Sequence, residues 1–404
     1  MNDVVLLFLT VPLVTAFVGW VTNWAAVKMI FHPEKYVGIG PLGWQGILQR
    51  RSHKFATGIA DMAVENLLSP RELAEKLDPD EMEKLFASTL DEQTEELVAE
   101  AANIIRPGAW KELPDHVKQM IVTQVKAQTG QISREIFDRL QGVSDDLLDL
   151  HHLVYSQLSG ENVRLLAKFT KEIGAKEFKF IEYYGGVFGL LIGLVQVGVW
   201  SLMQTWWLMP IVGVLDGLVN NWLAIQMIFR PMEPTKYFGL FTYQGMFPKR
   251  QAKISEDYGR VAAADILTPR NFIRLISEGE AGERIAKIVS ETISEKIDAE
   301  WKKVAPMVPV EVSQADLDAV KAKVVERIAH TVPEVQPEFE AYLERKLDIA
   351  TTIETKLTTL PKDDFERILR GVFEEDEITL IIVGGVLGGA VGVAQGALVL
   401  GLNL

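Results

Sequence analysis

Asp216 has the strongest claim to chemistry in this chain. It sits inside an apolar run, Leu208 to Phe229, long enough to cross a membrane. A carboxyl at that depth is expensive, so it is by default a candidate for a proton or substrate contact. The competing reading is structural: a hydrogen-bonded carboxyl meeting Asn220, Gln196 or Gln395 across helices. Two basic pairs come next. Arg50-Arg51 near Trp44, and Lys249-Arg250 near Tyr243, are placed to hold anionic lipid headgroups, each charge contributing about 1 kcal/mol near a membrane surface. The same charges also serve as a topology signal that pairs with local acids. No catalytic set is recognisable: there is no Ser-His-Asp pattern and no His-Glu-x-x-His. His151 and His152 are adjacent and so point to different faces of a helix. No catalytic residue, metal ligand or cofactor is expected, and the chain does not read as an enzyme.

Positioning these residues falls to elements that the chain writes twice. Asn23-Trp24-Ala25-Ala26-Val27-Lys28-Met29-Ile30-Phe31-His32-Pro33 returns as Asn221-Trp222-Leu223-Ala224-Ile225-Gln226-Met227-Ile228-Phe229-Arg230-Pro231, 198 residues on (23 to 221). The turn that follows also recurs, with Gln45-Gly46 answered by Gln244-Gly245, each between an aromatic residue and a basic pair. A third pair of segments shares a glycine ladder. Gly185, Gly189, Gly193 and Gln196 are answered by Gly384, Gly388, Gly392 and Gln395, 199 residues on (185 to 384). Repetition at this length is an internal duplication. The ladders are small-xxx-small faces that let helix backbones approach closely in lipid. A phosphate cradle is excluded, because no strand precedes them and no Gly-Lys-Ser follows. Asp216 has Val18 as its counterpart, so the acid is unduplicated and makes a thin pathway on its own.

Composition agrees with a membrane chain. Mean hydropathy is above zero although 24% of the residues are charged, which requires the apolar residues to be concentrated in segments. The absence of cysteine excludes disulfides, thiolate metal sites and a cysteine nucleophile. A net charge of −14 argues against a nucleic-acid partner.

Four apolar segments emerge. Val4 to Phe31 is a run of 28 residues, about 42 Å as a helix against roughly 30 Å of hydrocarbon, so tilt or a kink at Pro12 must absorb the excess. It lacks the basic start of a secretory signal, and its twin lies mid-chain. Trp24 suits the aromatic belt, and Lys28 can snorkel. The expected organisation is membrane helix 1 over 1–32, a helical domain with its basic turn over 33–182, a membrane hairpin over 183–229, a second helical domain over 230–377 and membrane helix 4 over 378–404. Within the first domain, Pro33 to Arg51 reads as loop and helices as about 80–105, 115–141, 144–158 and 161–182, with caps at Ser69 and Asp78. A matching cap stands at Thr268. Strand signals are absent. Lysines and arginines crowd the ends of the helical domains and are missing from the turn at 204–207, so the positive-inside rule makes the domains cytoplasmic.

The paired Asn-Trp-x-Ala-x-x-Met-Ile-Phe-x-Pro, the Gln-Gly turn and the glycine ladder ending in glutamine resemble an uncharacterised bacterial membrane-protein family, the YheB- and YjiN-like group. The first copy departs from the expected Pro-Lys-Arg turn, with Gln49-Arg50-Arg51 where the second has Pro248-Lys249-Arg250. The resemblance implies an integral protein of the bacterial cytoplasmic membrane and carries over no catalytic residue. Together these readings give an all-α, multi-pass protein: four transmembrane helices in two parallel repeats, with long amphipathic helical domains on one side. Its expected role is a membrane-anchored binding or scaffold protein of the cell envelope. Membrane lipids are its expected partners and a homo-oligomer a further candidate, since four spans make a small pathway alone; the runner-up role is a lipid or small-molecule conduit at the repeat interface.

Overall fold

The structure, a computed structural model, describes residues 2–39, 42–203, 205–305, 312–371 and 374–401. The first half runs α1 (Asn2–Phe31), β1 (Val37–Ile39), β2 (Leu42–Trp44), α2 (Ile47–Arg50), α3 (Ser52–Met62), α4 (Pro70–Glu75) and α5 (Pro79–Ile105). It continues through α6 (Ala109–Glu112), α7 (Asp115–Gly142), α8 (Ser144–Leu147), α9 (Leu150–Leu158), α10 (Val163–Ile173) and α11 (Ala175–Met203). The second half runs α12 (Leu208–Phe229), β3 (Thr235–Tyr237), β4 (Phe241–Tyr243), α13 (Met246–Lys249), α14 (Gln251–Val261) and α15 (Pro269–Ser277). It ends with α16 (Gly279–Val304), α17 (Gln314–Leu347), α18 (Ile349–Thr359), α19 (Lys362–Gly371) and α20 (Glu374–Gly401).

The chain is all-α in class, and among the described residues four helices are long and apolar enough to cross a membrane: Phe8–Phe31 of α1, all of α11, all of α12 and Glu377–Ala397 of α20. Helices meet the demand of hydrocarbon because every interior backbone group is satisfied within the segment. Pro12 lies inside α1 without ending it. The expected helix over 161–182 breaks at Gly174, whose N–H closes α10 onto Thr170 O, and α11 then runs unbroken to Met203. Glu177 therefore rides on the first turn of a membrane helix rather than on a separate helix.

The stretch Pro33 to Arg51, read as loop, and its recurring basic turn in the second half each contain a hairpin. β1 pairs antiparallel with β2, Val37 opposite Trp44, and β3 with β4, Thr235 opposite Tyr243. Strands of three residues are too short to show an alternating pattern, and neither turn has the Asn-Gly signature.

The chain divides into two compact units, one of 1–67, 154–265 and 350–404, the other of 68–153 and 266–349. This division cuts across the linear segments 33–182 and 230–377: each gives its ends to the first unit and its middle to the second. In the second unit α5 lies beside α7 and α17, and α16 lies beside the same two, so four long helices from both halves form a ring. Charged pairs cross between the halves: Arg139 with Glu295 at 2.6 Å, Lys296 with Glu135 at 2.6 Å, Arg327 with Glu100 at 3.0 Å and Lys346 with Glu81 at 2.7 Å. Lys296 beside Glu135 holds that carboxyl below the usual carboxylate range. Exposed pairs contribute little singly; the apolar core is supplied by residues such as Leu147, Leu150, Ile293, Leu317 and Leu343. Asp78 caps α5 by accepting from the N–H groups of Asp80 and Glu81, and Thr268 caps α15 from Asn271. Ser69, expected as a cap, makes no side-chain cap bond.

In the first unit α1 packs along α11 and α12 along α20, with α11 also meeting α12 and α1 meeting α20. Elsewhere in this unit α10 packs with both α3 and α14, and Phe169 meets Tyr258 edge-on at 4.8 Å.

Candidate functional site

The repeated motifs meet one another at the paired membrane helices. The Asn23 amide donates to Ile181 O at 2.8 Å, and the Asn221 amide to Leu380 O at 2.7 Å. Each asparagine thus ties a motif helix to the start of a glycine ladder. All six ladder glycines are buried. A Cβ built on Gly189 would lie 2.5 Å from Thr15 O, and one on Gly193 would lie 2.6 Å from the Pro12 Cα. In the other pair, a Cβ on Gly392 would lie 2.7 Å from the Pro210 Cα, and one on Gly388 would meet Gly213 O. Only glycine allows backbones this close. Trp24 and Trp222 point outward, and the Lys28 ammonium lies 4.5 Å from the Trp24 ring.

The two ladder glutamines meet where α1, α11, α12 and α20 come together. Gln196 Nε2 donates to Gln395 Oε1 at 3.1 Å, and Gln395 Nε2 donates to Thr15 Oγ1 at 3.2 Å. The Thr15 hydroxyl donates back to Val11 O at 2.8 Å and lies 3.4 Å from Gln196 Oε1. Gln196 Nε2 also reaches Met209 Sδ at 3.1 Å. Thr15 and Met209 were not legible as partners from the sequence, although Gln196 follows Gly193 by three residues and so falls on the ladder face. Asp216 is not part of this ring. Among the described residues no hydrogen bond joins it to Asn220, Gln196 or Gln395, and the buried oxygens Asp216 Oδ1 and Asn220 Oδ1 have no partner.

The basic turns fold back on the ends of α1 and α12. Gly46 N–H donates to Pro33 O, and Gly245 N–H to Pro231 O, each at 2.9 Å. The Gln45 amide donates to Glu34 O at 3.0 Å and the Gln244 amide to Met232 O at 2.8 Å. Glycine is needed beside each glutamine, since a Cβ on Gly46 would lie 2.9 Å from the Phe31 carbonyl carbon and one on Gly245 would lie 2.7 Å from that of Phe229. Both proline peptides, His32-Pro33 and Arg230-Pro231, are cis. The Tyr243 hydroxyl donates to Met227 O at 2.6 Å, and burial pushes its pKa up to about 12. Arg250 pairs with Glu177, a carboxylate only 1% exposed. Trp44 and Arg51 are half-buried, whereas Arg50 and Lys249 are exposed. The residues grouped as one headgroup site therefore divide: Arg250 and Tyr243 are engaged inside the fold, and Arg50 and Lys249 face outward. Among the described residues no group of three or more histidines or carboxylates is placed to hold a metal ion.

These features define a membrane-embedded, all-α protein whose helices are paired through glycine faces. Residues 13–141 match the family described as "Protein of unknown function (DUF445)". The chain is similar to a "UPF0754 membrane protein" of Bacillus pumilus, 30% identical over 122 residues, 30% of this chain and 32% of the relative. One of Exiguobacterium sibiricum is 31% identical over 88 residues, 21% of this chain and 23% of the relative. Those two matches span a third or less of the relatives' length. Another, of Lysinibacillus sphaericus, is 20% identical over 422 residues, 99% of each chain. No solved structure matches the chain. The likeness to an uncharacterised bacterial membrane-protein family, first carried by the motifs, is borne out.

Proposed function

We propose that the protein is a membrane-anchored helical binding and scaffold protein of the bacterial cell envelope, in contact with lipid and acting by binding rather than by catalysis. In this reading the two halves are parallel repeats related about an axis near the membrane normal, and the long helices outside the membrane are cytoplasmic. The observation that carries it is the backbone-to-backbone closure of both membrane pairs, which leaves the helices no lumen along the glycine faces. A small apolar cavity of about 50 Å³, lined by Ile59, Met62, Phe169, Phe247 and Tyr258, is far below the roughly 300 Å³ at which ligand pockets begin. Of the two basic pairs, Arg50 and Lys249 are the exposed members that meet headgroups in this reading. Anionic lipid retained by detergent-purified protein, measured by mass spectrometry, should fall in the double variant Arg50→Gln, Lys249→Gln. Equal retention by both proteins would remove these residues from the lipid contact.

A second reading, a conduit coupled to protons, is favoured by one observation: the unpartnered buried oxygens of Asp216 and Asn220 on successive turns of α12. Asp216→Asn separates the two. For a scaffold, the variant folds and behaves as the parent; for a proton-coupled conduit, it folds and loses flux in reconstituted vesicles. The expected outcome is the first.

A further inference from the structure

We propose that the two hairpins, β1–β2 and β3–β4, insert their apolar tips into the bilayer interface at which α1 and α12 end. The inference rests on the membrane-embedded reading and adds to it a second, non-helical contact with lipid. Each hairpin starts within six residues of a membrane helix, at Val37 after Phe31 and at Thr235 after Phe229. Its base is fastened there, by Gly46 to Pro33 in one copy and by Gly245 to Pro231 and Tyr243 to Met227 in the other. Strands of three residues reach only about 10 Å, so the tips stay near the helix ends and hence near the membrane surface.

What the tips carry is unsuited to water. Ile39 is 89% exposed, Phe238 90% and Leu240 86%. In the second hairpin Tyr237 and Phe241 stack across the strands at 5.9 Å, with Lys236 alternating to the opposite face. The backbone gives an independent sign. Phe238 has φ 53° and Gly239 φ 71°, so a bulky aromatic residue holds a left-handed position that asparagine, aspartate or glycine would fill with less strain. No packing within the fold repays that strain, because the ring is almost fully exposed. A solvent other than water would. Aromatic and aliphatic side chains settle at the boundary of headgroups and acyl chains, about 5–10 Å deep, when cations beside them meet anionic lipid. Lys35, Lys236, Arg50 and Lys249 are all exposed close to the hairpins and supply that charge.

The chain has no cysteine, so single labels can be placed cleanly. Phe238→Cys, Leu240→Cys and Ile39→Cys, each carrying an environment-sensitive fluorophore, would be reconstituted in phosphatidylglycerol–phosphatidylcholine vesicles beside Leu215→Cys on the outward face of α12. The expected result is blue-shifted emission at the hairpin sites, quenched by lipids bearing a nitroxide near the headgroup and shielded from aqueous iodide. Quenching by iodide at the hairpins, with Leu215 quenched by deep nitroxides, overturns the inference and leaves the membrane reading standing. If Leu215 also escapes the deep nitroxides, the membrane reading fails as well. Hairpin sites shielded from both quenchers would place a protein or a second copy on the tips and equally overturn it.

Discussion

At the scale of the residue, burial decides what a charge is for. Arg250 stands in a basic turn and reads there as a headgroup ligand or a topology signal. Its partner, Glu177, lies 73 positions away, and no local spacing connects them. The pairing was therefore hidden from the sequence, as was the break at Gly174 that brings Glu177 onto α11. The glutamines were easier to read, because both copies place them in phase with a glycine ladder. Arg250→Gln would leave the Glu177 carboxylate buried with no cation, and removing one partner from a buried pair costs about 3–5 kcal/mol. We expect a clear fall in the thermal midpoint of the detergent-solubilised protein. Lys249→Gln, which changes an exposed cation in the same turn, should leave it unmoved. Equal midpoints for Arg250→Gln and the parent would mean that the ion pair adds nothing to stability.

At the scale of the element, helices were legible and hairpins were not, for one physical reason. A membrane helix needs some twenty apolar residues, and a soluble one shows several turns of period and a cap, so α5, α7 and α12 declare themselves over long windows. Three-residue strands offer one period and a half. The ladders were legible in type and place, yet only the structure names what each rung faces. Gly189 meets Thr15 O and Gly388 meets Gly213 O, so neither site has room for a side chain. Gly189→Leu and Gly388→Leu should each force the paired helices apart, costing at least the 1–3 kcal/mol or so of an overpacked core. The check is a thermal unfolding series in detergent with Gly198→Ala as control, since a Cβ on Gly198 meets nothing within 4 Å. Parent-like midpoints for both leucine variants would show that the ladders are not packing faces.

At the scale of the whole molecule, the two halves depend on each other unequally. Each membrane pair, α1 with α11 and α12 with α20, is made within one half. The ring of α5, α7, α16 and α17 is not, and this combination across the halves was invisible to a reading that took each helical stretch as a domain of its own. Helix α7 makes the point, because none of its side chains is buried even with all its neighbours present. Amphipathic helices are marginal in water without tertiary partners, so a lone first half has little to hold α5 and α7. Cutting the chain in the short turn between α11 and α12 therefore gives a sharp test. The two pieces, expressed together, should co-purify from membranes and restore amide-exchange protection over 79–142. The first piece alone should still extract with the membrane fraction but lose that protection. If the lone piece is as protected over 79–142 as the intact chain, each half folds its own helical domain and the ring across the halves is not what stabilises it.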